Sequence, residues 1–251
     1  MKSACSNFLI AKYFRTCTNL YRETPRNLKG KKHSSQLWLT RQLKDPYVEK
    51  AKKENYRCRS AFKLLEINER FKILKPGQIV IDCGAAPGSW TQVAIKLTNA
   101  NGVNNEAVGT VIGIDKIPMY PIEGATLLGN MDFTTEASQK ELLKLLKDRK
   151  ADVVLSDMAP NASGVRDIDH VNIIKLAYLA FKFALQTTCI DGTFVCKIWD
   201  GGQSQQLEQD LLKFYKHVRN VRPQATRDDS TEKFLLATGF KGVKTLSNNA
   251  A

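Results

Sequence analysis

The 251-residue chain has only three histidines, at 33, 170 and 217, and its six cysteines, at 5, 17, 58, 83, 189 and 196, form no C-x-x-C pair. Zinc sites need closely spaced Cys and His ligands, and disulfide-stapled domains are dense in cysteine. Neither pattern is present, so no metal is expected, and Cys83 and Cys196 read as small buried side chains in a reducing compartment. No apolar run approaches the length of a bilayer-spanning helix, so a soluble globular chain without a membrane span is expected. There is no internal repeat. Acidic residues are missing from the first 22 positions, where Lys2, Lys12, Arg15 and Arg22 stand among Ser, Thr and bulky apolar residues. That composition fits an amphipathic mitochondrial presequence, whereas the apolar stretch FLIA is too short for a secretory signal and is interrupted by Lys12.

The formal net charge is +13, and its placement is uneven. Residues 1–75 carry 19 Lys and Arg against 6 Asp and Glu, while residues 76–251 carry 19 of each. All the excess positive charge therefore lies in one segment, which points to a polyanion partner, nucleic acid above all.

The most informative stretch is DCGAAPGSW at 82–90. An apolar run, QIVI, precedes it, and TQVAIKL, which reads as helix, follows. A buried strand thus ends on an acid, a glycine loop turns, and a helix begins, as at the first βα crossover of a nucleotide-type cofactor site. Gly84 and Gly88 allow close backbone approach to a ligand, and Pro87 stiffens the loop. The third glycine of a G-x-G-x-x-G dinucleotide loop is absent. The helix start would suit a pyrophosphate or a carboxylate equally.

After this loop the pattern alternates. Strands are expected near 78–82, 109–114, 125–129, 152–156, 192–198, 218–222 and 233–238, with helices over 89–98, 136–149, 169–187 and 204–217. Ahead of them, 46–72 reads as one helix ended by Pro76 and Gly77, with Ala61, Leu64, Leu65, Ile67 and Phe71 on its apolar face and Lys63 at the border. Residues 1–40 read as poorly ordered. The alternation predicts an α/β fold: a doubly wound, mostly parallel sheet with helices on both faces. Ligands of such sheets bind beyond the carboxyl ends of the strands, so polar residues that end strands become candidates. Asp157 ends the strand before MAPN. Lys197 stands inside the apolar strand VCKIW, where burial disfavours a charged side chain. Glu232 opens the last strand.

Six stretches together resemble the FtsJ/RrmJ family of S-adenosylmethionine-dependent rRNA ribose 2′-O-methyltransferases. They are YRCRSAFKLLEINERF (56–71), VIDCGAAPGSWTQVA (80–94), VIGIDKIPMYPI (111–122), DVVLSDMAPNASG (152–164), DGTFVCKIWDGG (191–202) and STEKFLLATGF (230–240). The resemblance runs from about residue 45 to 242, in family order. It implies a Rossmann-like methyltransferase fold and a catalytic tetrad of Lys63, Asp157, Lys197 and Glu232. It also implies S-adenosyl-L-methionine as cofactor, with Gly84, Pro87, Gly88, Ser89 and Trp90 around its methionine part, Asp115 at its ribose, Asp132 at its adenine and Asp157 near its sulfonium. By position alone Asp132 could equally be a turn or cap residue. The presequence-like start resembles the mitochondrial branch, the large-subunit rRNA uridine 2′-O-methyltransferases. Cys83 and Ser89 replace the family's usual Leu and Gly, the 99–107 loop is longer than in bacterial relatives, and STEKF lacks an arginine usual there.

The expected organisation is a presequence and basic arm over 1–40, a methyltransferase domain over 41–242 and a disordered tail over 243–251. The expected partner is ribosomal RNA within a mitochondrial large-subunit assembly intermediate. Phosphate contacts are expected from Arg57, Arg59, Lys52 and Lys53, with Lys50 beside them, and base stacking from Trp38 and Tyr56. Two rival readings remain at this point: a tRNA ribose 2′-O-methyltransferase, and a ribosome-assembly factor with dispensable catalysis.

Overall fold

The computed structural model describes residues 30, 33–43, 45–161 and 163–243. The chain divides into two compact units, Met1–Asp45 and Pro46–Ala251. In the first, helix α1 (His33–Leu43) forms where a poorly ordered arm was expected up to residue 40, and Thr40 donates to the Gln36 carbonyl within it. The presequence read over residues 1–22 lies outside the described residues. No helix among the described residues is long and apolar enough to cross a membrane.

The second unit is built on seven strands: β1 (Ile79–Cys83), β2 (Thr110–Ile114), β3 (Ala125–Leu128), β4 (Ala151–Ser156), β5 (Thr188–Trp199), β6 (Tyr215–Val221) and β7 (Glu232–Phe240). Their order in the sheet is β3-β2-β1-β4-β5-β7-β6, and β7 alone runs antiparallel to its neighbours. The expected doubly wound, mostly parallel sheet is what forms. Its helices are α2 (Pro46–Lys53), α3 (Ala61–Phe71), α4 (Ser89–Thr98), α5 (Glu136–Leu146), α6 (Arg166–Thr187) and α7 (Ser204–Phe214).

Period-two alternation of the strand side chains divides the core between the two faces. Ile81, Cys83, Val154, Phe194, Cys196, Ile198, Leu235 and Ala237 pack with α5, α6 and α7. Val80, Val153, Leu155, Val195, Phe234 and Leu236 pack with α3 and α4. Both faces are covered, which is why the parallel strands read as continuous apolar runs. Cys83 and Cys196 are fully buried, and burial pushes the Cys196 thiol up to about 12.

The single helix expected over 46–72 is two. Asn55 adopts a left-handed conformation with φ of 58°, which Asn tolerates better than most residues and which a continuous helix does not allow. The intervening turn is held by Gln92 on α4, whose side chain accepts from Arg57 N at 2.8 Å and donates to the Asn55 carbonyl at 2.9 Å. A tertiary contact thus overrides a helical period. α3 ends at Phe71, with Lys72 left-handed and capped to Asn68, ahead of the proline and glycine expected to stop it.

Candidate active site

The carboxyl ends of β1, β2 and β4 open onto a pocket of about 290 Å³ lined by Gly84, Asp115, Asp132 and Asp157 together with Ala86, Lys116, Phe133, Met158 and Asn161. Gly84 has φ of +78°, and a Cβ there would come within 2.4 Å of Met158 Cγ. Its lack of a side chain lets the loops after β1 and β4 close on each other. Asp115 joins two walls of the pocket: Oδ2 accepts from Ala86 N at 2.9 Å and Oδ1 from Ile117 N at 2.8 Å. Asp132 is both a turn residue and a pocket residue. Its Oδ1 takes the Thr134 N–H at 2.9 Å and the Thr134 hydroxyl at 2.8 Å. These bonds, the N–H first, hold its carboxyl below the ordinary range.

Behind the pocket lies Asp82, fully buried. Its Oδ2 accepts from the Thr91 hydroxyl at 2.7 Å, and its Oδ1 has no partner. Burial, with smaller contributions from Asp157 and Asp115, raises this carboxyl to about 7. The sequence marked Asp82 only as the end of a strand.

Pro87, Gly88, Ser89 and Trp90 take different places. The Trp90 indole is buried, lies tilted against Phe234 at 5.4 Å between ring centroids and donates to the Ser60 carbonyl at 2.9 Å. The Ser89 hydroxyl meets Ser60 Oγ at 2.7 Å and Cys58 Sγ at 3.0 Å. These side chains bind the glycine loop to the turn before α3 and are not among the lining of this pocket. At Gly88, with φ of +112°, a Cβ would meet Ile122 Cδ1 at 2.7 Å and Arg57 Nη1 at 2.9 Å.

Arg57 explains that crowding. Its Nη1 donates to the carbonyls of Pro87 at 2.8 Å and Tyr120 at 2.9 Å, and its Nη2 to that of Pro121 at 2.9 Å. Arg59 donates to the Ala225 carbonyl and lies over the Tyr47 ring at 5.5 Å. Both arginines, expected on a helix, stand in the turn between α2 and α3, where they fasten loops. Tyr56, expected to stack on a base, packs edge-on against Phe62 at 5.7 Å. Lys52 and Lys53 are exposed at the end of α2, as expected. The Trp38 side chain lies outside the described residues.

The four tetrad residues form two ion pairs at the carboxyl edge. Lys197 Nζ stands 3.0 Å from Asp157 Oδ1 while its hydrogen bond goes to the Asp157 carbonyl oxygen. Lys63 pairs with Glu232, their side chains 13% and 12% exposed. Register explains the grouping. Ser156 pairs with Cys196, so Asp157 follows alongside Lys197, and Lys197 faces Phe234 across the antiparallel ladder, two residues from Glu232. Glu232, Phe234 and Lys197 therefore share the α3 face, where the Lys63 ammonium lies 5.9 Å above the Phe234 ring. Asp157 belongs to both the pocket and the lysine pair.

The sequence profile of the FtsJ-like methyltransferases matches residues 56–240. The chain is 54% identical over 223 residues to a Drosophila melanogaster protein named rRNA methyltransferase 2, mitochondrial, covering 88% of this chain and 89% of that one. It is 47% identical over 215 residues to the ribosomal RNA large subunit methyltransferase E of Cereibacter sphaeroides, covering 85% and 87%. A solved structure described as a ribosomal RNA methyltransferase from Plasmodium falciparum superposes with a TM-score of 0.66 at 29% identity, over 75% of this chain and all of that one. Profile, identity and fold agree with the pocket and the paired lysines, and the chain belongs to the FtsJ-like methyltransferase family.

Proposed function

We propose that the protein transfers a methyl group from S-adenosyl-L-methionine to the ribose 2′-hydroxyl of a uridine in mitochondrial large-subunit ribosomal RNA, and that it does so within a large-subunit assembly intermediate. The observation that carries this reading is Asp157, which lines the pocket and at the same time holds Lys197. A cofactor methyl and an acceptor oxygen can meet there. The names of the fly and bacterial relatives support RNA of the large ribosomal subunit as substrate, and the fly relative supports a mitochondrial setting.

The pocket fits the cofactor. Three carboxylates line it, a field that favours a ligand carrying a positive sulfonium and an ammonium, and Asp82 lies buried behind it with one oxygen unpartnered. Each carboxylate oxygen can accept more than one bond. Asp115 therefore still has capacity for a ribose diol after accepting two backbone N–H groups, and Asp132 keeps Oδ2 for an adenine amine. When bound, S-adenosylmethionine supplies an electrophilic methyl on a positively charged sulfur. The chain's residues do the rest. Lys197, fixed by Asp157, would orient the 2′-oxygen and steer its proton off to solvent as the new C–O bond forms and the methyl–sulfur bond breaks to leave a neutral thioether. Lys63, fixed by Glu232 over Phe234, presents a second ammonium beside it. Holding oxygen, methyl and sulfur in line supplies much of the acceleration.

Mapping 2′-O-methyl groups in mitochondrial large-subunit rRNA, with and without the gene, tests the proposal. One uridine should lose its methyl without the gene, regain it with the wild-type chain, and stay unmethylated with Lys197→Ala. An unchanged map would sink it.

A further inference from the structure

The segment between Asp115 and Ala125 carries a feature that the methyl-transfer site does not use. Tyr120 is 84% exposed, the most exposed large apolar side chain among the described residues. A lone exposed aromatic on a loose loop would mean little. This one stands on a rigid mount. Its own carbonyl and the next are both held by the Arg57 guanidinium, which also grips the glycine loop at Pro87. Pro118 and Pro121 flank it and fix φ on either side. The loop is tied down at its start by Ile117 N on Asp115 and at its end by the Ile122 methyl packed over Gly88. Lys116 and Ile117 line the cofactor pocket, and Tyr120 follows three residues later in the same loop, its carbonyl sharing Arg57 Nη1 with that of Pro87 in the glycine loop. The fold ties down the backbone and leaves the ring bare.

We propose that Tyr120 is a stacking platform for an unpaired base of the RNA next to the target nucleotide. The assignment rests on the RNA-methylating function proposed above. Enzymes acting on single-stranded RNA hold splayed bases on aromatic faces, and a preorganised ring loses little conformational entropy on binding. A nucleic-acid partner is favoured over an apolar protein surface by charge, since residues 46–75, the segment that supplies Arg57, carry nine Lys and Arg against four Asp and Glu.

The test compares Tyr120→Ala, Tyr120→Phe, Tyr120→Trp and Tyr120→Leu with the wild-type chain, using in vitro transcribed mitochondrial large-subunit rRNA for both binding and methyl transfer. Stacking energies correspond to about a 5- to 100-fold loss of RNA affinity on removal of the ring. Tyr120→Ala should raise the dissociation constant and KM for RNA by that factor, with cofactor affinity unchanged. Phe and Trp should restore RNA affinity, and Leu should not. Wild-type RNA affinity in Tyr120→Ala, or full rescue by Leu, overturns the assignment alone. So does unchanged RNA binding combined with loss of association with assembly particles, which would make the ring a protein contact. A wild-type chain that binds no RNA overturns the assignment together with the function beneath it.

Discussion

Lys197 Nζ lies 3.0 Å from Asp157 Oδ1, and the same ammonium donates to the Asp157 carbonyl, although forty positions separate the two residues. Two parallel neighbours, β4 and β5, end at the same edge and bring them together. The carboxylate thus fixes one end of the lysine and borders the cofactor pocket. Lys197→Ala is expected to lower kcat by about 10²- to 10⁴-fold, the range for loss of a positioned proton-handling group. Lys197→Arg should not rescue it, because a planar guanidinium does not reproduce a compact ammonium. Single-turnover methyl transfer with cofactor affinity measured alongside is the check. A loss confined to cofactor affinity would contradict the assigned role.

Lys63 and Glu232 join α3 to the first residue of β7. Each is largely shielded from water, so removing one leaves the other charge without its counterpart. Glu232→Gln should cost about 1–3 kcal/mol in stability, below the ~3–5 kcal/mol seen for fully buried pairs because some water still reaches both groups. The double variant Lys63→Met/Glu232→Gln should recover part of that loss. Urea unfolding of the single and double variants measures the coupling, and additive effects would show that the pair contributes no joint stability.

Asp82 predicts a pH dependence. Its folded carboxyl keeps a proton up to about pH 7, whereas the unfolded one loses it near 3.8. Between those values the folded state binds more protons, so stability falls as pH rises. The contribution is intact below about pH 4, declines through the window and levels off above about pH 7. The shift corresponds to about 4 kcal/mol. Asp82→Asn, which cannot ionise, should flatten this part of the stability profile. Unfolding free energies at several pH values between 4 and 8 decide it, and an unchanged slope in the variant would count against a protonated Asp82.

Arg57 and the lysines of α2 should separate cleanly. Arg57→Ala removes three bonds to carbonyls of two loops that border the pocket, and should weaken cofactor binding about 10-fold. It should leave the salt dependence of RNA binding unchanged. Lys52→Glu and Lys53→Glu should do the reverse, each reducing the slope of log K against log salt by about 0.9 or more if it meets a phosphate. Calorimetry for the cofactor and filter binding across salt for RNA give the two readouts. A smaller slope in Arg57→Ala would return that residue to the RNA surface.

The strands and most helices were legible because burial on both faces of a parallel sheet writes itself as apolar runs separated by glycine and acid. Asp115 and Asp157 stood out because they end or follow such runs, Asp132 only through the family resemblance, and all three line the pocket. Lys197 stood out as a charge inside an apolar strand, and pairing with Asp157 is what makes that placement tolerable. The break at Asn55 was not legible, because no proline or glycine marks it and only the Gln92 side chain from another helix shows that the chain must turn. Nor could the sequence tell an arginine that meets phosphate from one that binds carbonyls, since the residue type suits both.

The sequence by itself determined the sheet and the glycine loop, because these depend on hydrophobic period and turn chemistry, which are local properties, and its motifs in order determined the family. Only the tertiary structure decided how charges are used. It paired Lys63 with Glu232 and Lys197 with Asp157, set Arg57 and Arg59 on loop carbonyls and left Tyr120 bare. Those outcomes depend on which residues distant in sequence become neighbours at one edge of the sheet, and strand order and register set that.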